Sequence, residues 1–514
     1  MLFNFIVVCS KYFSSPKHSI PIPILDRSIK ITSDPPSGFK ANLKQAFASF
    51  SREAYEEFEP RTKGILFGLC QFHAVVVERK KFGAKGYNMM YPFSIGDLQC
   101  SAAVLRNYME SAPAKIPWAD LRYLFGEIMY GGHIVNDLDR LLATTYLEFY
   151  MREDLLDEMP LYPYYDAPPG ADVFKAPPAS SNYDRVVEHL EENLKVETPV
   201  AFGLHPNAEI GFRTQTSEEL LRTVLELSAS SQEGGAGEGT SQQQVAEAII
   251  QDVLESLRDV KFEIDKIASS IEEVGPFQNV VLQECERMNA LVGEIVRSLI
   301  ELDQGFKGDL TVSDAMEELA ASLFFDRVPK RWELFAYPSL RTLAGWLSDL
   351  QKRIAQINDW ANNPADTPVV TWISGLFNPQ SFLTAVMQST AQAQGLELDK
   401  LSLLTDVTKK MEAEEMTTPA KDGTYIVGLY LEGGSWNLQT AMLEPSKPRE
   451  MYVPLPVINV RPALLEREER GIFFCPVYKT QQRGPTYVYS LQLKTKLDPG
   501  KWILAGVVAV MDVV

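Results

Sequence analysis

The chain has 514 residues, with 49 Lys and Arg against 68 Asp and Glu, a formal net charge of −19. With 45% hydrophobic and 23% charged residues it has ordinary globular content, which excludes a mainly disordered, collagen-like or disulfide-stapled chain. At about 150 residues per domain the length predicts roughly three or four units with real cores. The acidic balance argues against a general nucleic-acid or anionic-membrane binder, which would be repelled at long range. The five cysteines (Cys9, Cys70, Cys100, Cys285, Cys475) are scattered and show no C-x-x-C pair, so buried reduced thiols of an intracellular protein are expected, not disulfides or a zinc site. No run reaches the roughly 18–20 apolar residues that span a bilayer. Met1–Ser10 is apolar but lacks a basic lead and a small-residue cleavage site, and reads as a buried strand or an irrelevant start rather than a signal.

Residues 11–45 carry two proline bursts, Pro21-Ile22-Pro23 and Asp34-Pro35-Pro36, around Ile29–Ile31, the ragged end of a domain. From about residue 42 the pattern is helical. Ile65, Leu66, Leu69, Phe72, Val76 and Val77 mark one helix face; the other face ends in Glu78-Arg79-Lys80-Lys81, and Gly83 stops the helix. A second helix starts at Pro117, with Trp118, Leu121, Phe125, Ile128 and Met129 on one face and Gly131-Gly132 at its end. Ile134, Leu138, Leu141, Leu142 and Phe149 mark a third, so residues 42–152 form a compact all-α unit. Residues 155–182, rich in Pro and Tyr, read as an extended connection laid over a surface.

A second helical block is expected from about 184 to 412, interrupted by a flexible insertion at Ser228–Ser241. Within it, Val281, Cys285, Met288, Ile295, Leu299 and Leu302 belong to one long helix. Asn378-Pro379 caps another, with Phe382, Leu383, Val386 and Met387 on its face. After about residue 422 the period changes to 2: Tyr425, Val427, Leu429 and Leu431 alternate with their neighbours, as do Tyr487, Tyr489, Leu491 and Leu493. Met451–Val460, Gly471–Thr480 and Trp502–Val510 are further apolar runs, and together they predict a small antiparallel barrel or sandwich.

The search for chemistry is mostly negative. No G-x-x-x-x-G-K-[ST] occurs: the one Gly-Lys pair is Gly500-Lys501, and Thr495 stands where the first glycine of a phosphate loop belongs. No H-E-x-x-H occurs, and His18, His73, His133, His189 and His205 lie far apart. Gly433-Gly434-Ser435-Trp436-Asn437 falls short of a nucleophile elbow at Asn437 and has no helical pattern behind it. His73 reads as a core or interface histidine bonded to a backbone carbonyl rather than a metal ligand. Glu78–Lys81 reads first as a solvated helix end and second as a docking contact on a neighbouring domain. Glu284-Cys285-Glu286-Arg287 splays its carboxylates apart on a helix, which disfavours a catalytic dyad. No catalytic, cofactor-binding or metal-binding residue is assigned.

Leu69-Cys70-Gln71-Phe72-His73-Ala74-Val75-Val76, followed by Glu78-Arg79-Lys80-Lys81-Phe82-Gly83, resembles a signature of dynein heavy chains. The resemblance continues in order through Tyr91-Pro92-Phe93, Leu121–Glu127, Tyr130–His133, Asp137–Arg140, Gly203–Ile210, Phe377–Leu383, Leu429–Gly433 with Trp436, Pro454–Val457 and Tyr478–Thr480. It covers about residues 19–514, and the wording of the motifs is closer to axonemal outer-arm heavy chains of the β type than to cytoplasmic ones. The family usually has a tryptophan where Leu138 stands, and residues 1–18 match nothing in it.

The resemblance implies an α+β multidomain protein: a helical AAA+ lid, then a helical subdomain followed by a small antiparallel β-barrel. Residues 1–45 would be a remnant of the large subdomain of the sixth AAA+ module (1–18 unassigned) and 46–152 its lid. Residues 153–182 would be the connection, 183–421 the helical part of the dynein C-terminal domain, and 422–514 its barrel. The stalk, linker and earlier phosphate loops of a dynein motor are missing from this sequence, so the chain is expected to be a fragment or a separately encoded tail piece. The implied role is non-catalytic: bracing the AAA+ ring of a microtubule motor of the cilium or flagellum and relaying ATP-driven change. The chain itself would hold no cofactor, ATP and Mg belonging to the parent motor. Implied partners are the remaining AAA+ modules, dynein intermediate and light chains through the complex, and the microtubule only indirectly, with no nucleic acid or membrane. The implied location is the cytoplasm and cytoskeleton, in the axoneme. The alternative is a self-standing protein-binding scaffold without motor activity, whose uncovered lid surface attracts partners; a free enzyme with an unrecognised site has the least support.

Overall fold

The computed structural model describes residues 38–111, 115–164, 173–194, 198–232, 239–464 and 471–513. The reading of residues 1–37, Cys9 included, lies outside them.

The N-terminal helical unit contains α1 (Phe39–Ala48), α2 (Arg52–Glu56), α3 (Pro60–Glu78), α4 (Ile95–Glu110), α5 (Trp118–Tyr123) and α6 (Asp137–Tyr150). Helix α3 starts with Pro60 at its first position and is buried at every residue from Thr62 to Val76. The expected single apolar face is therefore too narrow: α1, α4, α6 and a 3-10 turn at Glu153–Leu156 surround the helix. Small residues make that enclosure possible. A Cβ at Gly64 would lie 2.7 Å from Leu156 Cδ2, and one at Gly68 2.6 Å from Leu155 Cδ2. Asn136 caps α6 by accepting the N–H groups of Leu138 at 3.0 Å and Asp139 at 3.2 Å.

The second expected helix changes pitch. After α5 it becomes a π-turn at Leu124–Met129, closed by Tyr130 N–H donating to Phe125 O at 3.0 Å, and then a 3-10 turn at Gly131–His133. The altered pitch turns Ile128 outward, 52% exposed, while Leu121 and Phe125 stay buried. The Pro/Tyr-rich connection is not a surface strap: Leu155, Met159, Leu161, Tyr162, Phe174 and Ala176 are buried, and its two arms pair through Leu161 N–H to Phe174 O at 2.8 Å. Helix α7 (Tyr183–Asn193) packs on α1 and α2 and adds Val186 and Leu190 to the same core.

The C-terminal unit begins with α8 (Asn207–Gln232), α9 (Gly239–Leu257), α10 (Ile264–Ser269) and the 31-residue α11 (Pro276–Phe306). The expected flexible insertion at 228–241 is cut down at both ends, since helix runs to Gln232 and resumes at Gly239; residues 233–238 lie outside the described residues. Val281, Cys285, Met288, Ile295, Leu299 and Leu302 are all buried along α11, as their spacing predicts. Helices α12 (Asp314–Phe324), α13 (Lys330–Glu333), α14 (Leu343–Asn362) and α15 (Pro379–Gln394) complete the layer, with α11 packed against α12, α14 and α15. Asn378 caps α15, its Oδ1 accepting Ser381 N–H at 3.3 Å.

Strands begin earlier than residue 422. β1 (Val370–Trp372) and β2 (Leu401–Val407) join β3 (Thr424–Val427) and β8 (Ile458–Leu464) in a sheet ordered β1-β3-β8-β2. A five-stranded sheet runs β10-β9-β11-β4-β7, from β10 (Tyr487–Lys494), β9 (Ile472–Tyr478), β11 (Val508–Val510), β4 (Tyr430–Glu432) and β7 (Tyr452–Pro454). β5 (Gly434–Asn437) and β6 (Met442–Pro445) form a hairpin. β1–β3 and β11–β9 pair in parallel, so the sheets are mixed rather than antiparallel, and no closed barrel forms among the described residues. The alternation from Tyr425 to Leu431 is two strands in two sheets: Gly428, at φ 92, breaks it, and Thr424 and Ile426 face the core instead of Tyr425 and Val427. A bulge between Tyr487 and Tyr489 likewise leaves Tyr487 exposed. Trp502–Ala505, expected as strand, is helix α16 (Pro499–Ala505), started by Asp498 accepting Gly500 N–H at 2.8 Å.

The two units have separate cores, one from Phe39 to Ala208 and one from Ile250 to Met511, with Leu504 of α16 set in the first. No helix of the described residues is long and apolar enough to cross a membrane.

Candidate functional site at the seam between the two units

Helix α3 gives way to a 3-10 turn, Arg79–Lys85, kinked at Gly83 with φ 56. The turn carries Arg79 inward to 1% exposure. Its Nε donates to Gly86 O at 2.9 Å, and its Nη1 to Leu504 O at 2.9 Å, to Phe202 O at 3.2 Å and to the Tyr146 hydroxyl. Among the described residues none of these acceptors is a carboxylate. Two are carbonyls in last turns, Phe202 of the 3-10 turn Pro199–Phe202 and Leu504 of α16, where free carbonyls carry the negative end of the helix dipole. The solvated helix end expected for Arg79 is thus corrected. The docking reading holds, because Leu504 belongs to the far end of the chain.

Beside it, Glu432 at the end of β4 lies 2.7 Å from Lys85 Nζ and 2.7 Å from Arg483 Nη2. Burial works to raise the Glu432 carboxyl, but the charges of Arg483 and Lys85 and their hydrogen bonds outweigh it and hold the group below the ordinary carboxylate range. Arg483 also donates to Gly506 O at 3.0 Å. Its backbone sits at φ 52, ψ −139, a conformation that costs a non-glycine residue about 1–3 kcal/mol and persists only where surrounding contacts impose it.

Asp139 of α6 gathers the next loop. It accepts from Asn88 N–H at 3.0 Å, Asn88 Nδ2 at 3.1 Å, Met89 N–H at 3.2 Å and the Tyr91 hydroxyl at 2.8 Å, while burial pushes its carboxyl above the usual value against those bonds. On the far side, His205 Nδ1 accepts Asn207 N–H at 3.2 Å, which places the ring proton on Nε2, 3.1 Å from Ser446 O. Asn207 then donates to Lys447 O and Glu450 O and accepts Arg449 N–H at 2.9 Å, fastening the loop between β6 and β7. Burial lowers the His205 pKa, which favours the neutral ring.

The other sequence candidates are structural. His73 is a core histidine, its Nδ1 2.9 Å from the Tyr130 hydroxyl rather than a backbone carbonyl, with burial lowering its pKa to about 4. Glu284 accepts Phe377 N–H at 2.7 Å and Asn378 N–H at 2.9 Å, fixing the start of α15. Gly131 permits a close turn, since a Cβ there would lie 2.0 Å from Gly126 O. Gly433–Asn437 leads into the β5–β6 hairpin, not a helix. Cys70, Cys285 and Cys475 are buried, but Cys100 is exposed, against the expectation for all the thiols. Among the described residues no group of three or more His, Cys, Asp or Glu is placed to hold a metal. The sequence search did not single out Lys85, Glu432, Arg483, His205 or Asn207 individually; His205, Asn207 and Glu432 lie inside the family motifs Gly203–Ile210 and Leu429–Gly433 quoted above.

A helical lid joined to a C-terminal unit of helices and mixed sheets is the arrangement that the family comparisons match. Residues 62–208 match the AAA lid domain of dynein heavy chains, and residues 214–511, more than half the sequence, match the C-terminal domain of dynein heavy chains. The chain belongs to the dynein heavy chain family. It is 46% identical over 500 residues to dynein axonemal heavy chain 17 of Homo sapiens and 45% identical over 500 residues to the ciliary dynein beta chain of Tripneustes gratilla, each alignment covering 96% of this chain. It is 44% identical over 513 residues, 97% of this chain, to the flagellar outer-arm dynein beta chain of Chlamydomonas reinhardtii. The chain spans about 11% of the length of these relatives.

Proposed function

We propose that the chain serves as the C-terminal portion of an axonemal dynein heavy chain of the outer-arm β type, a microtubule-based motor of the cilium or flagellum. Its task is to brace the AAA+ ring and pass on movements driven by ATP hydrolysis elsewhere, holding neither ATP nor Mg itself. The observation that carries this reading is the buried Arg79, which hydrogen-bonds a carbonyl 425 residues further along the sequence. A displacement can be handed from lid to C-terminal domain only through elements that move together, and a buried guanidinium shared by both supplies such a joint. Partners on this reading are the other AAA+ modules, with intermediate and light chains reached through the complex and the microtubule reached indirectly. The self-standing scaffold is not favoured, since the axonemal relatives align over 96–97% of this chain.

The domain plan proposed is a lid at 46–152, a connection at 153–182, a helical part at 183–421 and a strand-rich part at 422–514. The lid core also draws in α7, and the strand-rich part also draws in β1 and β2. The strands are barrel-like in the sense that the two sheets meet at β2 and β10, where Gln492 N–H donates to Thr405 Oγ1 at 2.7 Å.

The test uses a full-length heavy chain with Arg79→Ala, checked for folding by circular dichroism. Microtubule gliding is expected to slow while basal ATP turnover persists. Unchanged gliding by a folded variant overturns the relay, and Mg-dependent ATP turnover by the 514-residue chain alone overturns the non-catalytic assignment.

A further inference from the structure

Helix α8 leaves the body of the protein. Its base packs on the 3-10 turn Arg79–Lys85, where the rings of Phe212 and Phe82 lie 5.9 Å apart. From Arg213 to Leu225 every described side chain is exposed. Within that stretch Leu220, Leu221, Val224 and Leu225 share one face at i, i+1, i+4 and i+5, and they are 66%, 61%, 54% and 59% exposed. Among the described residues nothing covers this apolar stripe. A contiguous exposed apolar face marks a surface that is covered when the protein works, since leaving it in water favours aggregation.

We propose that the apolar stretch Met1–Val8 (MLFNFIVV) of this same chain covers the stripe on α8. Position, reach and charge favour it over a second copy or a foreign partner. The described residues begin at Gly38, at the start of α1, and the next ring, Phe39, lies 5.3 Å from Phe202. Phe202 and Phe212 both pack on Phe82, so the chain before Gly38 departs beside the base of α8. About 29 residues join Val8 to Gly38 and can extend to about 95 Å, against roughly 18 Å along α8 from Phe212 to Val224. A tether of that length holds its own segment at a far higher effective concentration than a separate molecule reaches. The order of groups matches as well. Going back from Gly38, Lys17 and Lys11 precede the apolar stretch; going out along α8, the exposed Glu218 and Glu219 precede the stripe. Cations therefore meet carboxylates where apolar residues meet apolar residues. The inference concerns the packing of this chain on itself and does not depend on the motor role.

Cys9 directly follows the apolar stretch and serves as the probe in the full 514-residue chain. Cys100→Ser removes the exposed competing thiol. On that background Val224→Cys sets a thiol in the stripe, and Glu219→Cys sets one on the opposite side of α8. Under mild oxidation a disulfide within one chain is expected between Cys9 and position 224, forming at least about tenfold faster than with position 219, because docking decides which face the tethered thiol meets. Amide hydrogen exchange over residues 218–226 gives a second readout that needs no added thiol, and it is expected to quicken about tenfold in a folded Phe5→Asp variant. Equal rates at the two positions, cross-links only between separate chains (which would assign the stripe to a second copy), or unchanged exchange in Phe5→Asp overturns the proposal.

Discussion

Two buried carboxylates, one at the seam and one inside the C-terminal helical layer, are neutralised by different means. Glu432 meets the full charges of Lys85 and Arg483, whereas Glu284 meets two backbone N–H groups at the start of α15. Burial works to raise both carboxyls. At Glu432 the cations reverse it, and at Glu284 the N–H bonds of Phe377 and Asn378 oppose it without overcoming it, leaving that carboxyl above its usual value. Dipoles satisfy lone pairs, but two full charges at 2.7 Å are what keep a buried acid ionised. The Glu432 site is therefore held by ion pairs, and the Glu284 site by backbone hydrogen bonds.

The comparison can be broken most directly at Glu432. Glu432→Gln leaves the buried Arg483 and the partly buried Lys85 without their counter-charge and is expected to destabilise the protein by about 3–5 kcal/mol in urea denaturation. A loss below about 1 kcal/mol would show that the seam tolerates unpaired charge and does not differ in kind from the Glu284 site.

Glu284→Gln keeps one acceptor for the α15 amides and removes no ion pair, so a loss of about 1–2 kcal/mol is expected. The two variants also differ in pH dependence. The Glu432 carboxyl lies below 4.5 in the native state, so its contribution is present above pH 4.5 and fades as pH falls through the native value. The Glu284 carboxyl lies above 4.5, so the native state holds its proton longer and stability declines as pH rises from 4.5 through the native value. Melting curves across this range should lose their acid-side slope in Glu432→Gln and their neutral-side slope in Glu284→Gln; the same change in both would erase the distinction.

The smallest expected effect is at the neighbouring cap. Asn378→Ala removes the acceptor for Ser381 N–H but leaves Glu284 on the Phe377 and Asn378 amides, and a loss of about 1 kcal/mol is expected. A much larger loss in the same denaturation experiment would mean that the Asn378 side chain, not Glu284, sets the start of α15.

Much of the helical architecture was legible in the sequence. The long helix through Val281 and Leu302 and the Asn378-Pro379 start stand as their periodicity and capping chemistry predict. The errors have physical causes. Enclosure of α3 by four neighbours erases the amphipathic contrast on which its expected face rested. The π-turn at Leu124–Met129 shifts the angular frame that a 3.6-residue count assumes. Gly428 ends one strand and begins another, which a run of alternating residues does not reveal. The candidate site is legible only in part: the sequence gives Arg79 a docking role second to a solvated helix end, and its partners lie in no local pattern.

By itself the sequence determined the family, through co-linear motifs, and the position of most helices, because hydrophobic period and cap chemistry act between residues a few positions apart. Only the tertiary structure decided which charges meet. Arg79 with Leu504, Lys85 with Glu432 and Arg483 with Glu432 are brought together from distant stretches of sequence. Their encounter depends on how two cores pack, and no local spacing rule carries that information.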